Sequence, residues 1–195
     1  MDMEGNELLR VNHLKKYFQT PHGTLSAVDD VTFGINKRET LGVVGESGCG
    51  KSTLGRCILR LHEPTAGEVV FEGKNILACD KKEMKSLRSK MQIIFQDPYA
   101  SLNPRMTVSQ AIAAPLIIQG VYSAKEKEKI QKKVAEMMDV VGLASRLVNS
   151  YPHELDGGRR QRIGIARALS LDPKFIVCDE PVSALDVSIQ AQVLN

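Results

Sequence analysis

The sequence lacks closely spaced cysteines, long apolar runs and a marked excess of either charge. Its four cysteines are too scattered for a C-x-x-C metal site, so we expect reduced thiols at Cys49, Cys57, Cys79 and Cys178. No stretch approaches the roughly 20 apolar residues of a membrane-spanning helix. The start, residues 1–4, is acidic and unlike a signal peptide. We therefore expect a chain that is made and kept in the cytosol.

The overall charge is close to balanced, which argues against nucleic-acid binding on charge alone. With 26 basic and 23 acidic residues the formal net charge is only +3. The composition, 43% hydrophobic and 25% charged over 195 residues, is typical of one folded domain with a core. Disorder is therefore not expected.

Residues 45–53 read GESGCGKST and match the pattern G-x-x-x-x-G-K-[ST] of a phosphate-binding P-loop. Glycines let successive backbone N–H groups turn toward a polyphosphate, and the following helix adds the positive end of its dipole. In this pattern Lys51 reaches the β- and γ-phosphates, Ser52 offers a hydroxyl to Mg²⁺, and Thr53 adds a phosphate contact. We predict a nucleoside triphosphate site formed by Gly45, Ser47, Gly48, Cys49, Gly50, Lys51, Ser52 and Thr53.

The sequence around the loop decides between a P-loop and its alternative, a glycine-rich turn before an ordinary helix. Residues 41–44 are apolar and predict a short buried strand before the loop. The segment after the loop predicts a helix with one apolar side, made of Leu54, Ile58, Leu59 and Leu61. Strand, loop and helix in this order favour the P-loop.

Hydrophobic periodicity divides the rest of the chain into strands and helices. Residues 8–11, 28–33 and 67–74 predict antiparallel strands, and 91–95 predict another strand after a charged helix at 80–90. From residue 107 the period becomes helical, with two apolar faces made of Val108, Ile112 and Leu116 and of Ile130, Val134, Met137, Met138 and Val141. We interpret the methionines as core residues. Strands that enclose a helical insertion indicate one domain with two lobes.

Two acidic residues follow the apolar run at 175–178. This pattern is typical of a buried parallel strand that delivers carboxylates to its C-terminal edge, where α/β sheets bind ligands. We predict that Asp179 holds Mg²⁺ through water, as the second acid-bearing strand does in P-loop NTPases. Glu180 is the candidate general base for the attacking water. The alternative is a strand end with two solvated acids.

Together with the segments 155–162 (LDGGRRQR) and 183–186 (SALD), these motifs resemble those of the ATP-binding cassette (ABC) ATPases, whose signature reads LSGGQ. The resemblance covers nearly the whole chain and implies an α/β P-loop NTPase fold with an antiparallel β subdomain and an inserted helical subdomain. It implies one cassette, with a nucleotide-binding core and β subdomain at 1–97 and 171–195 and a helical and signature subdomain at 98–170.

Family cassettes continue to a switch histidine that contacts the γ-phosphate. None of the four histidines of this chain follows residue 180, and the chain ends at Asn195. We therefore expect an incomplete cassette, truncated at the C-terminus, with weak or no hydrolysis on its own.

The segments 95–105 (FQDPYASLNPR) and 151–154 (YPHE) look like the oligopeptide and dipeptide importer branch, and its second ATPase subunit in particular. This resemblance implies a subunit that binds and hydrolyses ATP, with Mg²⁺, to energise peptide import. The implied partners are a second ABC ATPase subunit, identical or different, two transmembrane permease subunits, and indirectly an extracytoplasmic solute-binding protein. No nucleic-acid partner is implied, and the implied location is the cytoplasmic face of the cell membrane.

Three alternatives to peptide import remain open at this point. The first is a nucleotide-binding module without turnover, either a fragment or a degenerate regulatory site. The second is an importer of nickel or another small solute. The third, a soluble cassette acting on nucleic acid or ribosomes, is disfavoured by the near-neutral charge and the importer-like segment at 95–105.

The resemblance also implies residue roles that the motifs alone do not give. Gln96 contacts Mg²⁺ or the lytic water, and Tyr17 stacks on adenine, with Phe18 the less favoured choice and simple core packing the alternative. The implied catalytic residues are Glu180, Lys51 and Gln96, and the implied metal ligands are Ser52, Gln96 and Asp179. The residues implied to contact the nucleotide of the opposite cassette are Asp156, Gly157, Gly158 and Asp186.

The signature departs from the family at two positions, with Asp156 in place of serine and Arg159 in place of glutamine. A carboxylate repels the γ-phosphate that the serine hydroxyl contacts. Arg159 can compensate this charge, or Asp156 can turn away and cap the helix, leaving the glycine N–H groups to hold the phosphate. We expect a working signature in a pair of unequal sites.

Overall fold

The computed structural model describes residues 6–179, except the side chains of Pro98 and Ala100. The chain forms two compact units, the first ending at Met84 and the second beginning at Lys85. Within residues 6–179, no helix combines the length and the apolar character needed to cross a membrane.

The first unit is built on an antiparallel sheet with the strand order β2-β1-β3-β4. Its strands are β1 (Glu7–Thr20), β2 (Gly23–Asn36), β3 (Ala66–Phe71) and β4 (Lys74–Asn75). β1 and β2 form a long hairpin, and β1 also pairs with β3. These pairings confirm the antiparallel strands predicted from the sequence.

The buried residues of β1 do not follow one every-second-residue pattern along the whole strand. Leu9 and Val11 are fully buried, and so is Leu14, an odd number of residues farther on. The register with β2 shifts between Val11 and Leu14. Such a bulge adds a residue to one strand, so the alternation restarts and Leu14 faces the same core as Leu9.

The helix after the P-loop is α1 (Lys51–Ile58). Leu54, Ile58 and the C-cap Leu59 are buried, which confirms most of the predicted apolar side. Leu61 is exposed because the helix ends before it, so its predicted place on that face is wrong.

The predicted buried strand at 41–44 is also wrong. These residues pair with no strand among residues 6–179, and Val44 is 96% exposed. A strand needs neighbours for its N–H and C=O groups, and the four strands that make up the sheet of this unit do not include residues 41–44. Apolar composition cannot replace that pairing.

The second unit contains a short parallel sheet and most of the helices. Its elements, preceded by α2 (Lys81–Lys90), are β5 (Met91–Ile94), α3 (Pro98–Ser101), α4 (Val108–Ile118), α5 (Lys127–Val140), α6 (Gly157–Leu169) and β6 (Phe175–Cys178). The predicted strands at 91–95 and 175–178 and the helix at 80–90 are confirmed.

The start of α4 follows from local chemistry. The Thr107 hydroxyl accepts a hydrogen bond from the Gln110 N–H at 3.3 Å, and the Gln110 side chain accepts one from the Thr107 N–H at 2.9 Å. This capping box supplies acceptors that the first helical turn lacks. It explains why the helical period begins at residue 107.

The two predicted apolar helix faces meet in one core. This core contains the buried side chains Val108, Ile112, Val134, Met137, Met138 and Ile163 from α4, α5 and α6. The methionines are therefore core residues, as predicted. The core holds α6 against α4 and α5, which matters because α6 begins at the signature.

We predict that Ile112→Ala lowers the free energy of unfolding by about 2–5 kcal/mol, because it leaves a cavity in this core. Ile118→Ala, on the same helix, is the matched control and should change stability by less than about 1 kcal/mol. Ile112 is 0% exposed and Ile118 is 65% exposed. Urea unfolding followed by circular dichroism measures both, and equal losses would contradict the described core.

Candidate nucleotide-binding site

The end of the P-loop, at Gly50, lies close to the backbone of β2. Gly50, the N-cap of α1, has φ 98°, and its carbonyl accepts the Leu54 N–H at 2.8 Å. A Cβ atom on Gly50 would lie 1.9 Å from the Ala27 carbonyl oxygen. Both the left-handed backbone and this contact require glycine at position 50. The backbone of β2 therefore limits where the P-loop can enter α1.

The Lys51 side chain folds back over the loop that precedes it. Its Nζ donates to the carbonyl oxygens of Gly45 at 2.8 Å and Glu46 at 2.7 Å, and lies 3.8 Å from the Cys49 Sγ. The first turn of α1 contains no acidic residue. An ammonium group beside an N-terminus without acids gives the loop a positive potential suited to phosphate.

Tyr17 and Phe18 have different partners on β1. The Tyr17 hydroxyl donates a hydrogen bond to Asp29 Oδ1, and this bond raises the pKa of the phenol above its usual value. The Phe18 ring lies edge-on to His62, with centroids 6.0 Å apart, and 4.8 Å from the Lys16 Nζ. Phe18 is thus packed within the unit, whereas Tyr17 is held by its hydroxyl.

Asp29 is a residue that the sequence reasoning missed. It follows Val28, which pairs with Lys16, but the register shifts between Lys16 and Tyr17. No fixed spacing in the sequence therefore indicates that Asp29 accepts the Tyr17 hydroxyl.

In the second unit, Asp179 and Gln96 lie at one edge of the parallel sheet. The strands β5 and β6 pair from Met91 and Phe175 to Ile94 and Cys178, and the Asp179 N–H donates to the Ile94 carbonyl at 3.0 Å. Asp179 is buried at the end of β6, and Gln96 follows β5. The carboxyl ends of parallel strands are where α/β sheets bind ligands.

Two predicted site residues, Glu180 and Asp186, lie outside the described residues. Their predicted roles rest on the sequence alone.

The signature segment begins α6 with Asp156 as its N-cap. Asp156 Oδ1 accepts the Arg159 N–H at 2.7 Å, and Asp156 Oδ2 lies 3.4 Å from Arg159 Nη1. Asp156 thus caps the helix, one of the two arrangements expected from the sequence, and it also pairs with Arg159. Gly157 and Gly158 occupy the first two helical positions, where N–H groups have no intrahelical acceptor.

The donor chemistry of the predicted metal ligands fits Mg²⁺. Among residues 6–179 there is no group of three or more His, Cys, Asp or Glu side chains that could hold a metal by themselves. Mg²⁺ is usually held by one or two carboxylates together with substrate phosphates and water. Ser52, Gln96 and Asp179 carry such oxygen donors.

A glycine-rich loop, a lysine folded over it and a buried aspartate after a parallel strand define a P-loop nucleotide-binding protein of the α/β class. The chain belongs to the ABC transporter family, which it matches over residues 28–183.

Two curated relatives show how closely the chain resembles named family members. It is 58% identical over 190 residues to the oligopeptide transport ATP-binding protein OppF of Bacillus subtilis, an alignment that covers 97% of this chain and 62% of the relative. It is 55% identical over 181 residues to OppF of Escherichia coli K12, covering 93% of this chain and 54% of the relative. The chain thus spans little more than half the length of these relatives.

Solved structures agree with the predicted cassette fold. A dimeric post-hydrolysis structure of the ATP-binding cassette MJ0796, bound to ADP and Pi, has a TM-score of 0.89 and 29% identity and covers 96% of this chain and 80% of that one. The cbiO1 protein from Clostridium perfringens, part of the ABC transporter complex cbiONQ, has a TM-score of 0.78 and 27% identity over 97% of this chain and 71% of that one. The fold is that of an ABC ATPase cassette, with the predicted antiparallel sheet.

We predict that Gly50→Ala weakens binding of a fluorescent ATP analogue by roughly tenfold or more, since strain of about 1–2 kcal/mol falls on the loop and the Cβ meets the Ala27 carbonyl. Gly48→Ala is the matched control, because Gly48 has φ 80° and, in the part of the chain that the structure describes, its Cβ would meet no atom within 4 Å beyond its chain neighbours. It should lose less affinity than Gly50→Ala. Equal losses for the two variants would contradict the described approach of the loop to β2.

Proposed function

We propose that the chain binds and hydrolyses ATP to energise the import of oligopeptides or dipeptides through an ABC transporter. The observation that carries the proposal is the presence in one chain of a P-loop before α1, with Lys51 folded over it, and of a glycine pair that begins α6 after Asp156. The names of the two OppF relatives support the peptide class of the cargo.

In the proposed ATP complex, Lys51 exchanges its contacts with the Gly45 and Glu46 carbonyls for oxygens of the β- and γ-phosphates. The loop N–H groups and the start of α1 hold the remaining phosphate charge. Tyr17 stacks on adenine, and its bond to Asp29 limits rotation of the ring.

The proposed hydrolysis breaks the bond between the γ-phosphorus and the oxygen that bridges to the β-phosphate. The oxygen of the attacking water bonds to the γ-phosphorus while Glu180 accepts a proton from that water as general base, and ADP and inorganic phosphate leave. Ser52, Gln96 and Asp179 are the proposed protein donors for Mg²⁺, which neutralises charge on the β- and γ-oxygens when bound.

Gly157 supports a role for α6 toward a nucleotide held by another cassette. Among residues 6–179, a Cβ at Gly157 would meet no atom within 4 Å outside its own helix turn and chain neighbours, so packing within this part of the chain does not require glycine there. Close approach of a phosphate to the backbone N–H groups does require it. We assign Gly157, Gly158 and Asp156, with Asp186, to the nucleotide of the opposite cassette.

The proposed partners are a second cassette, two transmembrane permease subunits and, indirectly, a solute-binding protein, with the chain at the cytoplasmic face of the cell membrane. We further propose the subdivision into a core with β subdomain (1–97 and 171–195) and a helical subdomain (98–170). Contact with the permeases is assigned to the loop after Gln96.

One observation favours a second candidate, a nucleotide-binding module without turnover. The Asp156 side chain is 60% exposed at the start of α6, where its carboxylate repels an approaching γ-phosphate. The pairing with Arg159 offsets this repulsion.

We predict that Glu180→Gln lowers the ATP turnover of the assembled cassette pair by about 10²–10⁴-fold, because the general base is lost. ATP binding should remain, since Lys51 and the loop are unchanged. Phosphate release and binding of a fluorescent ATP analogue measure the two effects. Phosphate release at the background rate in both forms would argue for the module without turnover, and equal release well above background would contradict the role of Glu180 as general base.

We predict that Arg159→Gln lowers ATP turnover by itself, because it leaves the Asp156 carboxylate without its counter-charge at the α6 start. The double change Asp156→Ser with Arg159→Gln should recover turnover, since serine caps the helix equally well and carries no charge. Steady-state phosphate release measures the coupling between the two residues. The four forms compared are the unchanged protein, Asp156→Ser, Arg159→Gln and the double variant. Additive effects would refute compensation by Arg159.

A further inference from the structure

Arg160 is a buried cation whose hydrogen bonds point to the turn before the signature. It is 6% exposed, and its Nε donates to the Pro152 carbonyl at 2.6 Å. Its Nη2 donates to the carbonyl of Leu155, the residue before the Asp156 cap. The turn that leads into α6 is therefore held by a side chain from the first turn of that helix.

The third nitrogen of this guanidinium, Nη1, is buried and finds no hydrogen-bond acceptor among residues 6–179. The Tyr99 ring covers the guanidinium instead, with its centroid 3.6 Å from the Arg160 Cζ. A buried cation is costly without compensation, and an aromatic face supplies it through the ring quadrupole. Tyr99 itself is 66% exposed, so it lies over Arg160 from the outside.

Two further bonds attach α6 to the same segment as Tyr99. Gln161 Nε2 donates at 3.4 Å to the carbonyl of Phe95, the residue before Gln96. Arg167 Nη1 donates to the Ser101 carbonyl. Three contacts thus hold residues 95–101 against α6, at Phe95, Tyr99 and Ser101. Of these, the contact made by the Tyr99 ring is the exposed one.

We propose that Arg160 is a positioning residue that sets where α6 begins, and that Tyr99 stabilises it there by stacking. Movement of the turn at Pro152 and Leu155 would move the Gly157 and Gly158 N–H groups relative to the phosphate they contact. Tyr99 links that position to the segment that carries Gln96. The proposal rests on the proposed function in one respect, the role of the two glycines in ATP turnover.

The test uses Tyr99→Leu and Tyr99→Phe in the chain assembled with its partner cassette, with and without the membrane subunits, so that a loss through the permease contact assigned to this loop is told apart from a loss through Arg160. Tyr99→Leu removes the aromatic face, and we expect kcat for ATP to fall roughly five- to tenfold. Tyr99→Phe keeps the face and should stay within about twofold of the unchanged protein. Binding of a fluorescent ATP analogue should be equal in all three, because the P-loop is untouched. A structural defect of the whole chain would lower binding as well.

Equal kcat for Tyr99→Leu and the unchanged protein would overturn the proposal. An equal loss in Tyr99→Phe and Tyr99→Leu would also overturn it, because the hydroxyl and not the ring face would then matter. Arg160→Lys keeps the charge but not the guanidinium geometry, and should lower kcat at least as much as Tyr99→Leu. If Arg160→Lys does not fold, the comparison of Tyr99→Leu with Tyr99→Phe tests the proposal by itself.

A separate readout distinguishes this inference from the proposed function. Absence of ATP hydrolysis by the unchanged assembly contradicts the proposed function only. Hydrogen exchange at the N–H groups of Arg159 and Arg160, which donate to Asp156 Oδ1 and to the Asp156 carbonyl, then tests the position of the α6 start without any turnover. Faster exchange in Tyr99→Leu than in Tyr99→Phe supports the positioning role, and equal exchange refutes it.

Discussion

The N–H groups at the start of a helix need acceptors from outside the helix, and this requirement organises both candidate binding segments. At α1, Gly50 turns the chain into the helix and Lys51 adds positive charge without any acid in the first turn. At α6, Asp156 accepts the Arg159 N–H. The two helix starts therefore differ in local charge, with a lysine and no acidic residue in the first turn of α1 and an aspartate paired with an arginine at α6.

The helix α6 combines two kinds of packing. Ile163 lies in the apolar core with α4 and α5, so the helix is held by burial on that side. On another side the buried polar residues Arg160 and Gln161 bond to backbone carbonyls of neighbouring turns. Apolar contact is non-directional, whereas these bonds require defined positions of both partners. The core thus keeps α6 in place, and the polar side determines where its first turn lies.

Local spacing was enough to predict much of the fold and the phosphate loop. The pattern at 45–53 identified the loop, since the chemistry of a P-loop is contained in neighbouring residues. Strand character at 8–11 and 28–33, within β1 and β2, and the apolar helix faces around Ile112 and Val134 followed from periods of two and 3.6 residues. The role of Gln96 rests on the family resemblance and that of Glu180 on its place after the apolar run at 175–178, and both remain predictions.

The sequence by itself thus determined the class of protein, the phosphate loop and the apolar faces, because these depend on residues a few positions apart. Only the tertiary structure decided which segments pair and which side chains meet. Residues 41–44 have strand composition but no strand partner within residues 6–179, and the bond of Tyr17 to Asp29 depends on a register shift in the hairpin. The stacking of Tyr99 on Arg160 joins positions far apart in the chain, and no spacing rule encodes such a contact because folding alone brings them together.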